Sequence, residues 1–231
     1  MKKICLITGG SRGIGLEIAK GLAAQGHQVY ITSRTPVDVP HLTHMLLDVT
    51  QQVSIEQLAQ NFPEQRLDVL VNNAGIMPDY DLDIEHTPFD TITQLLETNV
   101  RGPFAVTQAL LPFLKKSDDA RVINMSSDLG AMAQVSDPYS KFDAIDAPSY
   151  RVSKAALNMT SLVFAKQFRN TNIQVCSCSP GWCRTGLNEH DDFTHKAPNS
   201  ATQGADTPIW LALEAEQING QFFYQRQPIA W

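Results

Sequence analysis

Residues 8–15 read Thr8-Gly9-Gly10-Ser11-Arg12-Gly13-Ile14-Gly15. The run follows the apolar stretch Lys3 to Thr8. It leads into Gly13 to Gln25, where Ile14, Ile18, Ala19, Leu22 and Ala23 recur at helical spacing and Gly26 marks the end. Strand, glycine turn and helix N-terminus in that order limit the fold sharply. The glycines allow close backbone approach, and the helix end offers unpaired N–H groups and a positive partial charge. A pyrophosphate suits that geometry. The spacing differs from G-x-G-x-x-G, so a ligand-free glycine connection is the competing reading.

The same strand-then-helix rhythm continues. Strands are expected at Gln28 to Ser33, Met45 to Val49, Leu67 to Val71, Arg121 to Met125, Ile173 to Ser177 and Gln221 to Tyr224. Helices are expected over Val53 to Phe62, Thr91 to Leu114 and Tyr150 to Phe168, with Pro103 and Pro112 bending the second. This alternation predicts an α/β fold: a Rossmann-type, doubly wound, mostly parallel seven-stranded sheet with helices on both faces. Pro36 and Pro40 shorten or remove the helix expected between strands two and three. Gly186 to Thr202 is polar and irregular and reads as a mobile lid. The 231 residues are expected to form one dinucleotide-binding and catalytic domain, 1–231.

Composition narrows the function. The net charge is -6 and there are no Lys/Arg runs, which argues against nucleic acid and anionic membranes. The longest apolar runs fall far short of the ~20 residues of a membrane span. The opening Met1 to Ile7 imitates a signal peptide, but Thr8 to Arg12 ends the run too soon, so a cytoplasmic location is expected. Cys5, Cys176, Cys178 and Cys183 show no C-x-x-C spacing. The first three read as buried thiols, while Cys183 lies in a loop that could border a pocket. His190, Asp191, Asp192 and His195 imitate a metal cluster without helical pairing, and no metal is expected.

At the end of the second strand, an NAD site usually carries an acid for the ribose 2′-hydroxyl. Here the chain reads Ile31-Thr32-Ser33-Arg34-Thr35. Arg34, with Arg12 from the glycine turn and the Ser33 hydroxyl, suits a 2′-phosphate instead, so NADPH (NADP) is the expected cofactor. Both arginines as solvated surface charges is the alternative.

Tyr150 and Lys154 share one helix face, four residues apart. A neighbouring ammonium is expected to lower the phenol's pKa towards neutrality. Ser126-Ser127 follows strand five, Asn72-Asn73-Ala74-Gly75 follows strand four and Pro180-Gly181 follows strand six. All therefore gather at the carboxyl edge of the sheet, where open α/β folds bind ligands.

This ordered set resembles the short-chain dehydrogenase/reductase family over essentially the whole chain. The matches are Thr8-Gly9-x-x-x-Gly13-x-Gly15, Asp48, Asn72 to Gly75, Asn99, Ser127 with Gly130, Tyr150-x-x-x-Lys154 and Pro180-Gly181 with Thr185. The ending, from Gly204 to Pro208 and on to Trp231, is similar to the carbonyl reductase branch.

The resemblance implies four catalytic residues. Tyr150 would protonate a carbonyl oxygen as hydride arrives, and Lys154 would hold the nicotinamide ribose. Ser127 would hydrogen-bond the substrate oxygen, and Asn99 would relay protons through water. It also implies cofactor contacts from Gly9, Ser11, Arg12, Gly13, Ile14, Gly15, Ser33, Arg34, Asp48, Val49, Asn73, Ala74, Gly75, Tyr150, Lys154, Pro180, Gly181 and Thr185.

The expected function is NADPH-dependent reduction of a small-molecule aldehyde, ketone or quinone. An alcohol dehydrogenase running oxidatively and a non-catalytic NADPH sensor are the alternatives. The stretch Asp128 to Ser149 is longer than the family's usual spacing and leaves self-association open. Trp182 is expected as a substrate wall and Trp210 as core.

Overall fold

The computed structural model describes residues 1–140, 142–187 and 196–231. Eight strands form one sheet: β1 (Ile4–Ile7), β2 (Gln28–Ser33), β3 (Thr43–Leu46), β4 (Val69–Asn72), β5 (Ala120–Met125), β6 (Ile173–Cys178), β7 (Phe222–Tyr224) and β8 (Gln227–Ile229). Their order is β3-β2-β1-β4-β5-β6-β7-β8. All neighbours are parallel except β7 and β8. The chain steps outward from β1 to β3 and then returns to the other side of β1 at β4. Their carboxyl ends therefore flank the switch point at which such sheets bind ligands.

The expected fold class holds, with one strand more than predicted. β8 closes an antiparallel hairpin through Gln225 and Arg226, both at positive φ (47° and 60°). Two-residue hairpin turns of this kind favour Asn and Gly, so Gln-Arg gives no turn signal in the sequence. β3 begins two residues before its predicted start, leaving Asp48 and Val49 in the loop beyond it. As Pro36 and Pro40 imply, no helix joins β2 to β3.

Each central strand buries both faces, with the side chains divided by the period-two rule. Cys5, Ile7, Val29, Ile31, Val69, Val71, Ile123, Cys176 and Cys178 join one core, on the side of α1 (Gly13–Ala24) and a late helix, Ala201–Leu213. Leu6, Tyr30, Leu70, Val122 and Val175 join the other, beneath α2 (Gln52–Asn61) and the helices of 91–114 and 148–167. Cys176 and Cys178 thus share a face, and burial pushes the Cys5 and Cys176 thiols up to about 12. Trp210 packs edge-on against Phe223 in the first core.

The long helix predicted from Thr91 to Leu114 comes as α3 (Thr91–Leu96), one π-turn (Glu97–Arg101) and α4 (Gly102–Leu114). Pro103 lies in the first turn of α4, where its missing N–H matters least. Asn99 sits inside the π-turn and is fully buried. Beyond β5 come α5 (Met132–Val135) and α6 (Pro148–Gln167), which carries Tyr150 and Lys154. The helix of Ala201–Leu213 is α7, started by a capping box between Ser200 and Gln203. Among the described residues, no helix is long and apolar enough to cross a membrane.

Candidate active site

Gly9 and Gly13 take φ of +64° and +56°, the left-handed region that glycine enters without a Cβ penalty. These two residues turn the chain from β1 into α1. Arg12 stands at the N-cap of α1 without a side-chain cap bond, and the first turn holds no acid. The N–H groups of that turn therefore keep their capacity for an anion.

The β4 loop braces this turn. The Thr8 hydroxyl oxygen accepts from the backbone N–H of Asn73 (2.9 Å) and Ala74 (3.0 Å). The Asn73 amide donates to the carbonyls of Thr8 (3.0 Å) and Gly9 (3.1 Å). A Cβ on Gly15 would lie 2.4 Å from Asn73 Nδ2 and 2.6 Å from the Gly9 carbonyl oxygen. Gly15→Ala is therefore expected to displace Asn73 and unlatch the turn, lowering stability by about 1–3 kcal/mol and weakening dinucleotide binding. Thermal unfolding and a nicotinamide-fluorescence titration measure the two effects. An unchanged melting temperature and affinity would mean that the turn is not a tight cradle.

Around the turn lie several of the other expected contacts. Thr185 stands 3.5 Å from the Cβ position of Gly13, and Ile14 packs on Gly204. Ser11 is half-buried in the turn. The Asp48 carboxylate accepts from the backbone N–H and hydroxyl of Thr50 (2.9 and 2.7 Å). Val49 packs where Gly102 leaves room, and Gly181, at φ +74°, faces Tyr224 and Asn199. Arg12 and Arg34 are exposed.

Ser33 has partners within the protein. Its hydroxyl donates to the Thr35 carbonyl (2.6 Å) and lies 2.8 Å from His44 Nε2. With its one proton committed, Ser33 accepts from His44, which fixes the Nε2–H tautomer. The hydroxyl is thus engaged within the protein. Burial lowers the His44 pKa, so the imidazole is held neutral.

The carboxyl ends of β4 and β5 meet the amino end of α6. Tyr150 and Lys154 are buried, at 5% and 6% exposure. Lys154 Nζ lies 5.5 Å from the Tyr150 ring centroid and donates to the Met125 carbonyl (2.8 Å). Burial lowers the Lys154 pKa to about 8.

The Tyr150 phenol does not follow the expected shift. Burial pushes it well above its ordinary value, the charges of Asp79 and Asp128 push in the same direction, and a hydrogen bond with Ser127 pulls it back. Desolvation of a phenolate outweighs one hydrogen bond, and the lysine, directed at Met125, adds no comparable pull. The phenol is therefore held in its acid form.

Ser127 Oγ accepts from the Leu129 N–H (3.2 Å), which leaves its proton for another acceptor. Ser126 turns instead towards the Lys154 carbonyl (3.5 Å). Asn99 is used as a brace. Its Oδ1 accepts from the Ile76 N–H (2.9 Å), and its Nδ2 donates to the Ile76 carbonyl (3.0 Å) and Ser153 Oγ (3.1 Å). A Cβ on Gly75 would meet Asn99 Oδ1 at 3.2 Å and Lys154 Nζ at 3.7 Å, so this glycine lets the two groups converge.

An apolar wall adjoins Tyr150: Met77, Leu95, Leu129, Phe142, Ile145 and Trp182 cluster with it. Trp182 thus packs in the same cluster as Tyr150. Phe142 and Ile145 come from the long segment after Ser127, and Arg151 ties that segment down through the carbonyls of Phe142 and Ile145 (2.8 and 2.6 Å). Cys183 faces α7 at Gly204, and burial pushes its thiol up to about 11.

Asp79, Asp128 and His44 are additions that sequence reasoning missed. Asp128 lies unremarked between Ser127 and Gly130, Asp79 falls in no motif, and the partners of Asp79 and His44 are remote in sequence. His190, Asp191, Asp192 and His195, with the rest of 188–195 in the expected lid, lie outside the described residues. Among those described, no metal-binding cluster occurs.

Residues 3–195 match the family described as short chain dehydrogenase. The chain is 32% identical to the short-chain dehydrogenase anuI of Penicillium roqueforti, over 92% of this chain and 93% of that one. It is 34% identical to a 3-ketodihydrosphingosine reductase of Bacteroides thetaiotaomicron, over 83% and 68%. Among solved structures it superposes on the NADPH-bound carbonyl reductase from chicken fatty liver with a TM-score of 0.84, 27% identity and coverage of 100% and 99%. The carbonyl reductase Sniffer of Drosophila melanogaster gives 0.84, 26% and full coverage of both chains. With the glycine turn, the braced β4 loop and the buried tyrosine–lysine pair in place, the chain belongs to the short-chain dehydrogenase family of NAD(P)-dependent oxidoreductases, on its carbonyl reductase-like branch.

Proposed function

We propose that the protein reduces the carbonyl of an aldehyde, ketone or quinone to an alcohol with NADPH, Tyr150 serving as the general acid. The observation that carries this reading is the geometry at the sheet's carboxyl edge, where the buried Tyr150 phenol lies beside the Ser127 hydroxyl with Lys154 Nζ 5.5 Å from its ring centroid. NADPH, when bound, supplies the hydride.

The residues present fit that group. The glycine turn and the amino end of α1 would hold the pyrophosphate, with Asp48 and Val49 near the adenine. Arg34 and Arg12 would hold the 2′-phosphate. Asn73 to Gly75, Pro180, Gly181 and Thr185 would line the nicotinamide half, and Lys154 would hold its ribose.

The chain's own part follows from the charge that the reaction builds. As the carbon gains hydride, the carbonyl π pair moves onto oxygen. Ser127 Oγ donates a hydrogen bond to that oxygen, and Tyr150 transfers its proton to it, forming the alcohol O–H. The phenolate then takes a proton from solvent. Asn99 acts by fixing the backbone of Ile76. The apolar wall of Met77, Leu95, Leu129 and Trp182 excludes water and favours an apolar carbonyl compound.

The decisive assay follows NADPH absorbance with a panel of aldehydes, quinones and diketones, and with NADH in parallel. Turnover that needs NADPH supports the reading. Tight NADPH binding without turnover of any carbonyl would favour a sensor. Cofactor preference has its own test. Arg34→Asp is expected to cut kcat/KM for NADPH about thirtyfold, the equivalent of roughly 2 kcal/mol for a charge-assisted pair, while NADH loses nothing. Equal effects on both cofactors would remove Arg34 from the 2′-phosphate.

A further inference from the structure

Helix α6 starts in an unusual way. Its N-cap, Ala147, has no side chain to cap with and sits in the left-handed region at φ 44°. Pro148, the first helical residue, has no N–H. The next two N–H groups, of Ser149 and Tyr150, have no partner within the helix. Both donate to one oxygen of Asp79, at 2.8 and 3.0 Å. Asp79 lies some 70 residues upstream, on the loop that leaves β4 through Asn72 to Gly75. It has no solvent exposure, and its second carboxylate oxygen has no hydrogen-bond partner. Leaving that oxygen bare in the interior costs stability, which a purely structural cap such as Ser or Thr would avoid.

We propose that Asp79 is a positioning residue for the reaction: by accepting the backbone N–H of Ser149 and of Tyr150 on one carboxylate oxygen, it anchors Tyr150 at the amino end of α6 in the place from which its phenol meets the substrate carbonyl. This rests on the function proposed above.

Four groups act on Tyr150 from the surrounding elements. Asp79 on the β4 loop and Asp128 on the β5 loop oppose phenolate by charge, and Ser127 stabilises it by hydrogen bonding. Lys154, on α6 itself, sits over the ring with its ammonium turned to Met125. Of the two acids, Asp79 also holds the tyrosine's own backbone N–H. One side chain thereby couples the loop that braces the glycine turn to the position and the protonation state of the general acid.

Two variants separate the anchor from the charge. In Asp79→Asn the amide oxygen can keep both backbone bonds, and the amide NH2 replaces the bare oxygen. In Asp79→Ala the cap is lost. The first readout is hydrogen–deuterium exchange of the peptide covering 147–152, which needs no turnover. Exchange is expected to rise at least about tenfold in the Ala variant, the effect of losing roughly 1.4 kcal/mol of capping, and to stay near wild type in the Asn variant. The second is the pH profile of kcat for carbonyl reduction by the NADPH-loaded enzyme. Its alkaline limb is expected to move down by roughly one unit in Asp79→Asn, as removal of one nearby charge implies, with KM unchanged. Unaltered exchange in Asp79→Ala, or an unmoved alkaline limb in Asp79→Asn, overturns the proposal even when wild-type turnover is normal. Failure of the wild type to reduce any carbonyl overturns the proposed function instead, and the exchange comparison still decides whether Asp79 anchors the helix.

Discussion

Tyr150→Phe is expected to lower kcat for carbonyl reduction by about 10³-fold, within the range assigned to a positioned general acid. NADPH affinity should remain, because the ring and its packing remain. The protein should also stay folded. The phenol is buried among Met77, Leu95 and Leu129, and the hydroxyl's bond to Ser127 contributes only about 1 kcal/mol net. Stopped-flow NADPH oxidation with saturating carbonyl measures the rate, and a fluorescence titration measures the affinity. If the variant kept more than a tenth of wild-type kcat, a solvent proton would be doing the work assigned to Tyr150. A parallel loss of NADPH affinity would mean that the tyrosine serves binding rather than proton transfer.

That prediction uses a residue legible in the sequence, and the reason is geometric. Tyr150 and Lys154 lie one helical turn apart, and the polar pieces after β4, β5 and β6 must emerge at one edge of a parallel sheet. Whatever depends on local spacing could be read: the strand at Lys3 to Thr8, the glycine turn, and the loss of the helix between β2 and β3 at Pro36 and Pro40. What depends on side-chain direction could not. Tyr150 next to Lys154 suggests a lowered phenol pKa, but the lysine reaches the Met125 carbonyl and burial dominates. Ser33 beside Arg34 shows no sign in the sequence of the partners its hydroxyl takes, the Thr35 carbonyl and His44 Nε2. The π-turn at Asn99 and the Gln225–Arg226 hairpin use backbone states that their residue types do not advertise. Asp79 acts across the fold on a helix whose own N-cap is silent, so no local pattern marks it.

Lys154→Met carries the second large effect, and the two consequences run in opposite directions. Turnover should fall by at least about 10²-fold, since the ammonium beside Tyr150 and Gly75 is lost. The ligand-free protein should nevertheless become more stable at pH 7. Burial lowers the Lys154 pKa from 10.5 to about 8, so below pH 8 the fold carries a charged group that it disfavours. The shift is equivalent to roughly 3 kcal/mol. Met fills a similar volume without the charge, but it leaves the Met125 carbonyl without its donor, which returns about 1–2 kcal/mol of that gain.

The net expectation is a stabilisation of about 1–2 kcal/mol at neutral pH. The sign then changes with pH in a defined window. Between about 8 and 10.5 the unfolded lysine is still protonated while the folded one is not, so wild-type stability rises with pH relative to the variant. Above that window neither state carries the charge, and the variant keeps only its lost hydrogen bond. Urea unfolding of both proteins at pH 7 and at pH 10.5 measures the difference. A variant that is less stable by the same amount at both values would show that burial imposes no penalty on Lys154. A crossover would identify Lys154 as a group kept at a cost to the fold, which is the expected mark of a residue retained for its chemistry rather than its packing.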